Sequence, residues 1–122
     1  MKATKSRPES RHAAQSKRLL VERCGGMLHQ NHYVAGFQLP SGRQLAVERC
    51  GQGLYLWSEP CRDRMPTDLR RAFRRAYAAN RPRNADLNGR TAPRLKADHP
   101  AEYWLFDTLG DLERFFDIYA KL

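Results

Sequence analysis

Cysteine is scarce in this chain, with three residues at Cys24, Cys50 and Cys61 and no regular spacing between them. An odd, irregular set excludes a disulfide framework and fits a reducing compartment. Long apolar runs are missing as well. Nothing in the first thirty residues resembles the apolar core of a signal peptide, and no stretch approaches the length that spans a bilayer. The expectation is a cytoplasmic protein with no membrane partner. The chain also lacks a Gly-rich phosphate loop and a G-x-S-x-G elbow, so neither a nucleotide cofactor nor a serine nucleophile is indicated, and no cofactor is expected.

Metal chemistry has only thin support. Cys24, His29 and His32 stand at C-x4-H-x2-H, and Cys50 and Cys61 could complete a zinc site on paper, but the close C-x2-C pair is absent. Buried structural cysteines with solvent-facing histidines are the preferred reading. A metal-dependent nuclease needs clustered carboxylates, and Glu48, Glu59 and Asp63 are candidates only through their proximity to strand-like segments. An enzyme is therefore not the favoured class.

What the chain does have is positive charge, +9 over 122 residues, from 22 Lys and Arg against 13 Asp and Glu. It is unevenly placed. Residues 1–18 carry net +5, residues 19–61 balance, residues 62–96 carry +8, and residues 97–122 carry −4. Charge gathered in an arm and one internal segment is the footprint of a polyanionic partner, most often nucleic acid.

The pattern of elements sets where that charge sits. Residues 1–12 read as a basic, mobile arm, and 13–122 as a single domain of a size suited to one core. Ser6 and Glu9 have the spacing of a capping box with Pro8 in the first turn, and Gly25-Gly26 suits the helix stop. YVAGFQL, QLAVERC and LYLWSE read as a three-strand meander with tight turns at PSGR and GQG, one face being covered by helices. Pro66-Thr67 followed by DLRRAFRRAYAAN reads as an amphipathic helix, its apolar stripe formed by Leu69, Phe73, Ala76 and Tyr77. About twenty residues with three prolines follow, a long basic loop at 80–100. AEYWLFD reads as a strand, and Thr108 with Asp111 as the capping pair of a last helix. The expected fold class is α+β, a small, mainly antiparallel sheet of a three-strand meander plus one later strand, packed with three helices in the order α-β-β-β-α-β-α.

The repeated string VERCG, at Val21–Gly25 and Val47–Gly51, reads in two different ways. The first copy is a helix end stopped by Gly25, with Cys24 beside Leu20 in the core. The second is a strand end turned by Gly51, with Cys50 on the face of Glu48.

On this framework the candidate binding residues are Arg70, Arg71, Arg74 and Arg75 on the helix, then Arg81, Arg83, Asn84, Asn88, Arg90, Arg94 and Lys96 in the loop. Guanidinium forks bind phosphate oxygens bidentately, and interleaved amides can reach sugars or base edges. Tyr55 and Trp57 share one strand face, and Tyr103 with Leu105 opposes Trp104 with Phe106 in the later strand; exposed aromatics beside a basic helix would offer a stacking platform for single strands, but a domain this small needs most of these rings for its core. The function expected is a small, non-catalytic nucleic-acid-binding protein, for DNA or RNA. A module docking its basic face on an acidic protein, such as an inhibitor or accessory subunit of a nucleoprotein machine, is the alternative.

Overall fold

The computed structural model describes residues 9–122. Three helices, α1 (Arg11–Cys24), α2 (Thr67–Arg70) and α3 (Leu109–Tyr119), accompany six strands: β1 (His29–Gln30), β2 (Val34–Gln38), β3 (Gln44–Glu48), β4 (Leu54–Ser58), β5 (Phe73–Tyr77) and β6 (Ala101–Phe106). The strands form one antiparallel sheet in the order β1-β2-β3-β4-β6-β5. The fold class is thus α+β, with the meander and the later strand of the sequence reading in place.

The helix ends follow local chemistry. Ser10 caps α1, its hydroxyl accepting from Ala13 N at 3.1 Å. The expected capping box is displaced: Ser6 and Pro8 lie outside the described residues, and the Glu9 carboxylate instead pairs with Lys17 at 2.7 Å and Arg49 at 2.8 Å. Thr108 caps α3 through Asp111 N at 3.1 Å, as its spacing predicts. The two VERCG copies differ as expected, the first ending α1 at Gly25 with φ 82° and the second ending β3 before Gly51 with φ 123°. Cys24 is half-buried against the core near Leu20 rather than enclosed in it.

The main core lies between the helices and one sheet face. Leu20 of α1 and Leu112, Phe115, Phe116 and Tyr119 of α3 meet Phe37, Leu45, Val47, Leu56, Trp104 and Phe106 of the sheet. Burying each such side chain contributes about 1.5–3 kcal/mol, so this layer carries most of the stability. Tyr119 also fixes its helix by hydrogen bonds, donating to Gln44 O at 2.6 Å and accepting from Glu59 N at 3.0 Å.

Two expectations are corrected. The segment read as an Arg-rich helix forms only the single turn α2, and FRRAY continues as the edge strand β5. A slip in the ladder at Arg74 explains the preference. Phe73 pairs with Trp104 and Arg75 with the adjacent Tyr103, which leaves Arg74 as the extra residue of a bulge. Without the bulge Phe73 and Tyr77 would share one face. With it, Phe73 packs edge-on against Trp104 in the main core at 5.5 Å, and Tyr77 packs on Trp57 across the sheet at 5.1 Å. Partial burial of one ring on each face, plus a partner for the outer backbone groups of β6, overrides the helical preference of the string.

The second correction concerns the opposite sheet face, which is not left to solvent. Residues 78–100 fold back over it and bury Leu87, Ala92 and Leu95 against Val34, Ala46, Trp57 and Ala101. The approach is close enough to need a glycine. A Cβ on Gly36 would sit 1.5 Å from the carbonyl oxygen of Thr91. Gly36→Ala is therefore expected to lower stability by about 3 kcal/mol in urea denaturation and to speed proteolytic cleavage between Ala79 and His99. Unchanged stability would contradict this contact.

Candidate functional site

The covering segment is held by its own polar side chains, which decides what several candidate residues do. Arg83 donates to Leu95 O at 3.0 Å, His99 O at 2.6 Å and Ala78 O at 2.8 Å, drawing the two ends of the segment together. Burial pulls its guanidinium below the ordinary arginine pKa. Asn84 Oδ1 accepts from Asp86 N at 2.9 Å, and Asn88 Oδ1 accepts from Arg90 N at 2.9 Å and Thr91 N at 3.1 Å. Both amides make local Asx turns. Arg94 pairs with Glu59 at 2.7 Å and donates to Gly42 O at 3.0 Å, seating the segment on the β2–β3 hairpin. Four of the seven candidates in the loop thus engage the chain itself.

The others remain open. Arg81 and Arg90 are exposed and Lys96 is half-exposed, and no carboxylate lies within ion-pairing distance of them among the described residues. The same holds for Arg70, Arg71, Arg74 and Arg75, all exposed. Their internal bonds are few. Arg71 reaches Asp68 O at 3.4 Å, Arg70 reaches Thr67 Oγ1 at 3.5 Å, and Arg74 donates to Arg71 O at 2.8 Å and Phe73 O at 3.1 Å. Each guanidinium has five donors, so most stay free. The acidic side chains of α3 do not neutralise them. Glu113 and Asp117 pair with Arg23 of α1, and Asp111 lies 3.8 Å from Arg114, which pairs with Asp68 at 2.7 Å.

Beside these arginines the cover stops short. From under its edge at Trp57 a ladder of rings crosses β4, β6 and β5: Tyr55 stacks on Tyr103 at 5.6 Å and 13°, Tyr103 meets Trp57 at 4.5 Å, and Trp57 meets Tyr77 at 5.1 Å. Trp57 is buried and the three tyrosines are half-exposed. Tyr55, Tyr77, Tyr103 and Leu105 line an open cleft of about 420 Å³ with Arg74 and Arg75 at its rim. Arg75, Arg81 and Arg83 all approach the ring of Tyr77, their guanidinium carbons 5.9, 5.7 and 5.4 Å from its centroid. The ring attracts each cation. The three positive charges nevertheless repel one another, and an anion among them would relieve that repulsion.

The half-buried Glu48 carboxylate touches the ladder. It accepts from Trp57 Nε1 at 3.1 Å, and burial raises it above the usual carboxylate range. Burial and this neighbour push the Tyr103 phenol up.

Catalytic geometry is not assembled from the residues considered for it. Both oxygens of Glu59 are engaged, by Arg94 and by Gln44 N at 2.7 Å, Glu48 is tied to the ladder, and Asp63 projects into solvent. Among the described residues no three His, Cys, Asp or Glu side chains are grouped to hold a metal ion. Among the described residues no helix is long and apolar enough to cross a membrane. Comparison with protein-family models, curated proteins and solved structures returns no match.

Two of the thiols, Cys24 and Cys61, have little nucleophilic character. Burial pushes Cys24 up to about 11 and Cys61 up to about 12, so both are protonated at neutral pH. Alkylation of the folded protein at pH 8 is expected to modify Cys50 first, Cys24 slowly and Cys61 only on unfolding, read by mass spectrometry of the digest. Rapid modification of Cys61 would contradict its burial.

Proposed function

We propose that this is a small, basic, non-catalytic nucleic-acid-binding protein that holds the phosphate backbone along the β5 edge and its flanks. The observation that carries the reading is the set Arg70, Arg71, Arg74, Arg75 and Arg81, exposed and without carboxylate partners among the described residues. Residues 1–8 contain no Asp or Glu that could pair with them. Charge and a bulge on an edge strand also discourage sheet-to-sheet aggregation. That role accounts for Arg74 and Arg75, whereas Arg70, Arg71 and Arg81 lie outside the strand and extend the basic surface beyond what edge protection needs.

Phosphate binding by such a surface releases counterions, so affinity falls steeply with salt. Fluorescence anisotropy with labelled oligonucleotides across a KCl series is the direct test. The double variant Arg74→Gln/Arg75→Gln is expected to weaken binding and to flatten the plot of log affinity against log salt by about one per lost contact. Arg90→Gln/Lys96→Gln on the cover is expected to have a smaller effect. Circular dichroism checks that both variants fold. No binding to any oligonucleotide at low salt would overturn the reading and turn the basic edge toward an acidic protein partner. Cleavage of the oligonucleotides with Mg²⁺ or Mn²⁺ present would overturn its non-catalytic part.

A further inference from the structure

We infer that the tyrosine cleft takes unstacked bases, so that the preferred ligand is a single-stranded polynucleotide whose bases enter the cleft while its phosphates meet the surrounding arginines. This rests on the nucleic-acid reading and narrows its ligand. Tyr55 and Tyr103 lie 13° from parallel, both half-exposed, and form a short stack that an added base continues. At the far end of the ladder Tyr77 is ringed by Arg75 and Arg81, which places phosphate-binding groups one ring away from the stacking surface. A cleft of about 420 Å³ also exceeds what a phosphate alone requires and lies within the range of small-molecule sites, roughly 300–1,000 Å³. The ladder is anchored at Trp57, which is buried under the cover and donates its indole N–H to Glu48 at 3.1 Å.

The groove does not end at Tyr55. Tyr55 and Leu105 also line an adjoining open cleft of about 270 Å³ with Gln52, Asp107 and His12 of α1. The two clefts share Tyr55 and Leu105 and together make a track from the β5 arginines to the start of α1. Bases inside a duplex already have both faces stacked, so only a single strand uses this floor.

The test compares four ligands of equal length at one salt concentration: single-stranded RNA, single-stranded DNA of the same sequence, the DNA duplex, and an abasic strand that keeps the phosphates without bases. The wild-type protein is expected to bind at least one base-bearing single strand about tenfold more tightly than the abasic strand, and more tightly than the duplex. The RNA and DNA arms identify the sugar preferred. Tyr55→Leu should lose several-fold on that single strand and little on the abasic one, and Tyr55→Trp should retain binding. Equal affinity for abasic and base-bearing strands, or tighter binding to duplex, would overturn base stacking; if Arg74→Gln/Arg75→Gln still weakened binding, phosphate recognition would stand. No binding to any of the four would overturn both readings. The abasic comparison uses the unaltered protein, so its outcome does not depend on a variant folding.

Discussion

A sheet that is apolar on both faces and has helices on only one must find a second cover. Here that constraint falls on residues 78–100, which lack regular secondary structure and yet bury Leu87, Ala92 and Leu95 on the far face. The contact of the Thr91 backbone with Gly36 sets how closely this cover sits. Its backbone's hydrogen bonds with the Arg83, Asn84 and Asn88 side chains hold an irregular segment in one arrangement, and Arg94 donates to Gly42 O of the β2–β3 hairpin. Because the cover ends before the rim of β4 and β6, Tyr55, Tyr103 and Leu105 stay partly open.

The same division sorts the positive charge. Within the cover Arg83 donates to carbonyls and Arg94 to Gly42 O and Glu59, whereas Arg81, Arg90 and the arginines around β5 have no acidic partner among the described residues. The negative C-terminal stretch does not reach across to cancel them, since Arg23 and Arg114 take up Glu113, Asp117 and Asp111. Exposed pairs of this kind contribute little to stability, typically under about 1 kcal/mol. Their consequence is spatial: the helix layer is nearly balanced in charge, and the β5 edge keeps its excess.

Much of the fold was legible in the sequence because local signals agreed with tertiary demand. Alternation in QLAVE and LYLWS, turn residues between them, and the Thr108–Asp111 cap each name one structure. FRRAY misled because its two rings, four apart, fit a helical stripe; the bulge at Arg74 that sends them to opposite faces has no local signature. The candidate site was legible in part. Basic residues clustered at 70–96 and aromatics sharing a strand face were visible, but nothing in the composition distinguishes Arg83, turned inward to three carbonyls, from Arg81, turned outward over Tyr77. Asn84 and Asn88 read equally well as base readers or as turn formers. The apolar residues Leu87, Ala92 and Leu95 were the overlooked sign that this loop is packed rather than free.

On the proposed function, one surface, the β5 edge with its tyrosine cleft, receives nucleic acid. Titrating the isotope-labelled protein with a short single-stranded oligonucleotide and following amide and aromatic resonances tests that most directly. Saturable shifts are expected to centre on Tyr55, Arg74 to Tyr77, and Tyr103 to Leu105, with the α3 surface unaffected. Shifts confined to the face of α1 and α3, or none at low salt, would contradict it.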